Sequence, residues 1–124
     1  MDQFTSTQPI YLQIMDLIQR EIISTRLKPL DQLPSVRELA LRYQVNPNTV
    51  QRALSELERI GLVKSDRTIG RFVCDAPELI KSLRHTIVQE HVDQLTYVLV
   101  ELEVSESECI QAIKEAYAER KSHD

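Results

Sequence analysis

The sequence predicts a mainly α-helical chain with one small β-hairpin, and three observations carry that expectation. Two short capped helical segments lie between residues 35 and 60 with a tight link between them. Two β-favouring triplets around a polar, glycine-bearing tip follow at once, and a long stretch free of glycine and proline comes after residue 77. Helix, turn, helix and hairpin in that order describe a winged helix-turn-helix over residues 1–75, followed by a two-helix element over residues 76–124.

The first helix is expected from Pro9 to about Thr25. Ile10, Ile14, Ile18 and Ile22 recur every fourth residue, with Tyr11, Met15 and Ile23 beside them, which makes one broad apolar stripe. Arg26–Pro34 is a connector punctuated by Pro29 and Pro34. Ser35 followed by Glu38 is a capping-box signature, and the helix it starts carries Leu39, Ala40 and Tyr43 inward. After the link at Gln44-Val45, Asn46 can accept the unpaired amide hydrogens of a new helix. Pro47 suits that helix's first position, where no amide is needed. This second helix buries Val50, Ala53, Leu54 and Leu57 and leaves Asn48, Thr49, Gln51, Arg52 and Ser55 on its other faces. A polar N-terminal end on such a helix is what reads base edges in a DNA major groove; the plainer reading is a helical pair inside an all-α domain. Gly61 is placed as the left-handed residue that ends it.

Leu62-Val63-Lys64 and Arg71-Phe72-Val73 form the hairpin, with Ser65–Gly70 as its tip. Arg67 and Arg71 are the side chains expected to reach phosphates or a narrow minor groove. A hairpin that only covers the core is the alternative. Asp75-Ala76-Pro77-Glu78 starts a further helix, with Asp75 as its cap. That helix continues to about Glu103, roughly 26 residues and about 39 Å at 1.5 Å per residue, more than a domain of 75 residues can cover. Ser105 and Glu108 supply a third capping box, and the last helix runs from Glu106 to about Arg120. Leu79, Leu83, Ile87, Leu95 and Leu99 make one stripe, and Ile110, Ile113 and Tyr117 a second, with Cys109 and Ala116 beside them. With no further chain to cover both stripes, the expected partner is a second copy, giving a homodimer.

Composition fits a folded protein: 124 residues, 42% hydrophobic, and two cysteines without paired spacing. Those cysteines and the absence of a signal-like segment or a membrane-length apolar run point to a reduced, cytoplasmic setting with no membrane contact. The formal charge of −4 divides unevenly. Residues 1–75 hold ten Lys/Arg against nine Asp/Glu (+1), and residues 76–124 hold five against ten (−5), so the acidic excess lies away from the proposed DNA-binding part.

Enzyme chemistry has little support. His85, His91 and His123 share no metal-ligand spacing with one another or with the cysteines. The pairs His91/Asp93 and Glu101/Glu103 are two residues apart, which puts their members on opposite helix faces. Two glycines in the whole chain leave no phosphate-cradling loop. No cofactor or metal is expected, and no residue identifies a small-molecule effector. A non-catalytic adaptor that uses the winged helix to bind a protein is the remaining alternative.

Pro9-Ile10-Tyr11-x-Gln13-Ile14, Leu33-Pro34-Ser35-x-Arg37-Glu38-Leu39-Ala40, Val45-Asn46-Pro47-Asn48-Thr49-Val50-x-Arg52-Ala53 and Gly61-Leu62-Val63 together resemble the GntR family of bacterial transcription regulators. The short C-terminal part is similar to that of the YtrA subfamily. The resemblance implies DNA contacts at Ser35, Arg37, Asn46, Asn48, Thr49 and Arg52, and at Gly70 in the wing. Gln51, Arg67 and Arg71 complete the candidate surface on their chemistry. For Arg37 and Arg52 the ordinary alternative is a solvent-facing or ion-pairing arginine. The resemblance also implies a repressor acting on an inverted-repeat operator in double-stranded DNA, with an ABC transporter operon as the suggested target. Three positions depart from the family pattern: Thr25 or Arg26 and Leu30 stand where the connector commonly has glycine, and Thr68 takes the place of the first wing glycine.

Overall fold

The computed structural model describes Phe4 and residues 7–122; His123 lies outside them. Five helices and one hairpin follow in order: α1 (Ile10–Ile23), α2 (Val36–Tyr43), α3 (Pro47–Arg59), β1 (Val63–Asp66), β2 (Gly70–Val73), α4 (Pro77–Glu101) and α5 (Glu106–Ser122). The chain divides into two compact units, residues 1–84 and 85–124.

In the first unit the isoleucine stripe of α1 is the spine of the core. Ile14, Ile18 and Ile22 are buried against Leu39, Ala40 and Tyr43 of α2, and against Val50, Ala53, Leu54 and Leu57 of α3. Leu33, Leu62, Val63 and Val73 close the core from the connector and the hairpin. Each fully buried Leu, Ile or Val contributes about 1.5–3 kcal/mol relative to exposure. Gln13, the polar member of this buried set, donates its side-chain amide to the Gln8 carbonyl at 2.9 Å, which removes the desolvation penalty.

β1 and β2 pair antiparallel with Val63 opposite Val73 and Asp66 opposite Gly70. The connector, expected as an irregular link, lies along β2 instead. Leu30 N–H donates to Val73 O (2.8 Å), Val73 N–H to Asp31 O (2.9 Å) and Leu33 N–H to Arg71 O (2.9 Å). This short third edge satisfies backbone groups of β2 that two strands alone leave over.

Helix ends follow from local chemistry. At the end of α3, Leu62 N–H bonds Leu57 O and Gly61 N–H bonds Glu58 O, with Gly61 at φ 88°, a complete Schellman turn. The same turn ends α1 with Thr25 at φ 65° and α4 with Glu103 at φ 59°, both without glycine. Leu30 (φ 71°) follows Pro29 in a turn closed by Asp31 N–H to Lys28 O at 3.0 Å. Both connector positions that lack the family's glycine, Thr25 and Leu30, therefore keep the left-handed backbone, at a steric cost of about 1–2 kcal/mol each.

Two expectations about α4 are corrected. The helix begins at Pro77, so Ala76 holds the cap position expected for Asp75, and the Ala76 carbonyl accepts from Ile80 N–H at 3.0 Å. Leu79 and Leu83, assigned to a dimer stripe, pack with Ile80 against the core of the first unit. The compact unit thus extends past Asp75 into the first turns of α4, because these side chains cover apolar surface that α1–α3 and the hairpin leave open.

The second unit holds the rest of α4 and α5, joined through the turn at Glu103. Ser105 Oγ accepts from Glu108 N–H at 3.1 Å, one half of the expected capping box. Among the described residues of this unit no side chain is buried: Ile87, Leu99, Val104 and Cys109 are half-buried and the other apolar side chains are exposed. No helix among the described residues is long and apolar enough to cross a membrane.

Candidate nucleic-acid interface

The candidate surface is built at the starts of α2 and α3 and on the hairpin. Ser35 caps α2: its hydroxyl accepts from Glu38 N–H and its own N–H donates to Glu38 Oε1, both at 3.1 Å. That closed box fixes the direction of the first turn and so holds Arg37, which is exposed on it. At α3, Asn46 Oδ1 accepts from Asn48 N–H at 2.7 Å and Pro47 occupies the first turn. No acidic residue lies in that first turn. The positive end of the helix is therefore open to an anion such as a phosphate. Asn48, Gln51 and Arg52 are exposed and Thr49 is half-buried. Arg52 lies over the ring of Tyr11 from α1, its Cζ 3.8 Å from the ring centroid.

The hairpin is anchored at three points. Asp66 Oδ1 accepts from Thr68 N–H (2.8 Å), Thr68 Oγ1 (2.6 Å) and Ile69 N–H (3.3 Å). Thr68, standing in a glycine's place, thus fixes the tip through its side chain. The Thr68 hydroxyl and then the two amides favour the ionised form, and they hold the Asp66 carboxyl below its ordinary range. Gly70 has φ 84°, a conformation side-chain-bearing residues rarely adopt, and the Gln32 side-chain amide donates to the neighbouring Ile69 carbonyl. Arg67 is exposed at the tip.

Arg71 is placed differently from the phosphate-reaching role expected of it. Its Nε donates to Glu58 Oε1 on α3 at 2.6 Å, and its Nη1 lies 3.4 Å from Gln51 Oε1. Ser65 of β1 donates its hydroxyl to the same Glu58 oxygen. The Ser65 hydrogen bond first, then that of Arg71 and its charge, pull the Glu58 carboxyl below the usual range against the opposing effect of burial. One carboxylate thereby ties both strands of the hairpin to α3 and compensates the charge of Arg71, whose Nη1 in turn donates to Gln51 Oε1. Sequence reasoning missed Glu58, Ser65, Gln32 and Asp66. Glu58 and Arg71 are thirteen residues apart on two different elements, α3 and β2, so no periodicity links them. Asp66 was legible in principle, as an Asx turn two residues before Thr68.

The model of the gntR family of bacterial regulatory proteins matches residues 10–73, α1 through the hairpin. The chain belongs to the GntR family. This GntR protein is 40% identical over 113 residues to the uncharacterized HTH-type transcriptional regulator YhcF of Bacillus subtilis (strain 168), covering 91% of this chain and 93% of that one. It is 39% identical over 103 residues to the HTH-type transcriptional repressor YtrA of the same organism, covering 79% of each. Among solved structures, a GntR family transcriptional regulator from Listeria monocytogenes superposes with a TM-score of 0.80 at 31% identity, covering 90% of this chain and 98% of that one. YtrA from Sulfolobus acidocaldarius matches at 0.54 and 30% identity over 96% and 97%. The DNA-binding domain of AraR in complex with operator ORR3 matches at 0.54 and 27% identity, over 57% of this chain and 86% of that one. The protein is a GntR-family DNA-binding transcriptional regulator of the YtrA-like branch, and its family and named relatives are regulators, not enzymes.

Proposed function

We propose that this GntR protein is a homodimeric repressor that occupies an inverted-repeat operator. The observation that carries the proposal is the exposed, acid-free start of α3, with Asn48 and Arg52 outward, Thr49 half-buried beside them, and Arg37 on the adjoining start of α2. Asn46 and Ser35 shape the two helix starts and offer further polar groups to the backbone. Arg67 at the wing tip supplies a phosphate contact, and Gly70 the backbone conformation that lets the tip approach. An arginine bidentate to guanine is worth about 1–3 kcal/mol of discrimination.

Dimerisation is assigned to the second unit. Leu95, Leu99, Ile110, Ile113 and Tyr117, with Ile87, leave more apolar surface uncovered than isolated surface hydrophobes account for. Burying these side chains against a second copy pairs two winged domains, whose recognition helices then reach half-sites one helical turn, or a multiple of it, apart. A reduced, cytoplasmic setting accords with this role. A transporter operon as target rests on the resemblance to YtrA-type regulators alone; the genes beside its chromosomal binding sites test it.

Selection of duplexes from random-sequence DNA by the purified protein tests the whole reading. The expected outcome is a palindromic site, bound at least tenfold more weakly by Arg37→Ala or Arg52→Ala, at roughly 1.4 kcal/mol per factor of ten. Recovery of no enriched sequence, or wild-type binding by both variants, overturns it.

A further inference from the structure

We propose that Tyr11 is a positioning residue for recognition: its ring holds the Arg52 guanidinium in the orientation that reads the operator. The inference rests on the proposed role of Arg52 and extends it to a side chain on another helix.

Tyr11 belongs to the first motif of the sequence, Pro9–Ile14, whose other members already have structural work. Pro9 sits at the start of α1, Ile14 is in the core, and Gln13 bonds the Gln8 carbonyl. Tyr11 is half-buried on α1, and the stacked Arg52 comes from α3. A guanidinium is planar and carries its donors in that plane. Cζ lies over the ring, 3.8 Å from its centroid, so the ring covers the guanidinium from one side, while Arg52 as a whole stays exposed. A guanidinium lying flat on a ring keeps its in-plane N–H donors free for another partner. Bidentate donation to a guanine or to a phosphate uses that edge.

An exposed arginine otherwise samples many rotamers and must lose that freedom on binding. Stacking restricts it beforehand, so the gain is one of preorganisation and not of a new contact. An exposed cation–π contact corresponds to about two- to fivefold in an equilibrium constant. A lysine at position 52 would keep the charge but not the planar fork.

The test uses the full-length protein and a duplex that it selects from random-sequence DNA, with binding measured for that duplex and for single-base-pair variants. Tyr11→Leu should weaken binding about two- to fivefold and lower discrimination at the base pair whose preference Arg52→Ala abolishes, leaving the other positions unchanged. Tyr11→Phe should restore both, since it retains the ring face. In the Arg52→Ala background, Tyr11→Leu should have no further effect. If Arg52→Ala weakens binding while Tyr11→Leu binds and discriminates like wild type, or binds more tightly, the positioning role is refuted and the recognition surface stands. Uniform weakening by Tyr11→Leu at every position, equally in the Arg52→Ala background, also refutes it and assigns Tyr11 to folding alone. Wild-type binding by Arg52→Ala refutes the role assigned to Arg52 itself.

Discussion

Removing the Glu58 carboxylate should loosen the wing and at the same time release a cation toward DNA. Glu58 Oε1 takes hydrogen bonds from Arg71 Nε at 2.6 Å and from the Ser65 hydroxyl, with the Arg71 and Glu58 side chains 19% and 31% exposed. A hydrogen bond to a charged group contributes about 1.5–3 kcal/mol, and partial exposure places this one at the lower end. Glu58→Gln should therefore cost about 1.5 kcal/mol, or roughly 6–12 °C in Tm for a unit of this size, read by thermal unfolding. The sign with pH follows from the direction of the Glu58 shift. Its carboxyl is lowered from 4.5, so the stabilisation is fully present above that value and disappears as pH falls through the folded value. The difference between wild type and Glu58→Gln should accordingly shrink on acidification below about pH 4.5. DNA binding gives an independent readout. An Arg71 already compensated by Glu58 releases no counterion, so Arg71→Ala should leave the salt slope at its wild-type value, whereas Glu58→Gln should steepen it by up to about one unit. A slope flattened by about one unit in Arg71→Ala, with Glu58→Gln unchanged, would show that Arg71 leaves Glu58 for a phosphate and would refute this account.

Arg67→Ala, at the exposed wing tip, should lower the salt slope by about one unit without changing Tm; an unchanged slope leaves the hairpin as core cover. Leu30→Gly should stabilise the protein by roughly 0.5–1 kcal/mol. The left-handed backbone costs leucine about 1–2 kcal/mol there, and glycine's larger unfolded-state entropy gives back about half of the relief. Denaturant unfolding checks it, and a destabilised variant would mean that the exposed Leu30 side chain makes contacts worth more than the strain. Leu95→Glu combined with Ile113→Glu should produce a monomer by sedimentation at micromolar concentration, and a persisting dimer would move the interface elsewhere.

The four-residue spacing of Ile10–Ile22, the caps at Ser35 and Asn46, Gly61, and the two β-favouring triplets determined α1–α3, the hairpin and their order by themselves. Each is a local rule, satisfied within a few residues of chain. The polar side chains at the start of α3 were legible for the same reason, since a buried stripe of Val50, Ala53, Leu54 and Leu57 leaves only certain positions facing out. Tertiary structure alone decided what those local rules do not reach. It laid the connector along β2 and kept Thr25 and Leu30 left-handed without glycine. It also turned Leu79 and Leu83 inward onto the first unit, although they continue the same stripe as Leu95. Above all, it paired Arg71 with Glu58 and Arg52 with Tyr11, so that two arginines equivalent in the sequence are held by different partners. Such pairings depend on which elements come within a few ångströms of each other, and a separation of 13 or 41 residues along the chain carries no signature of that.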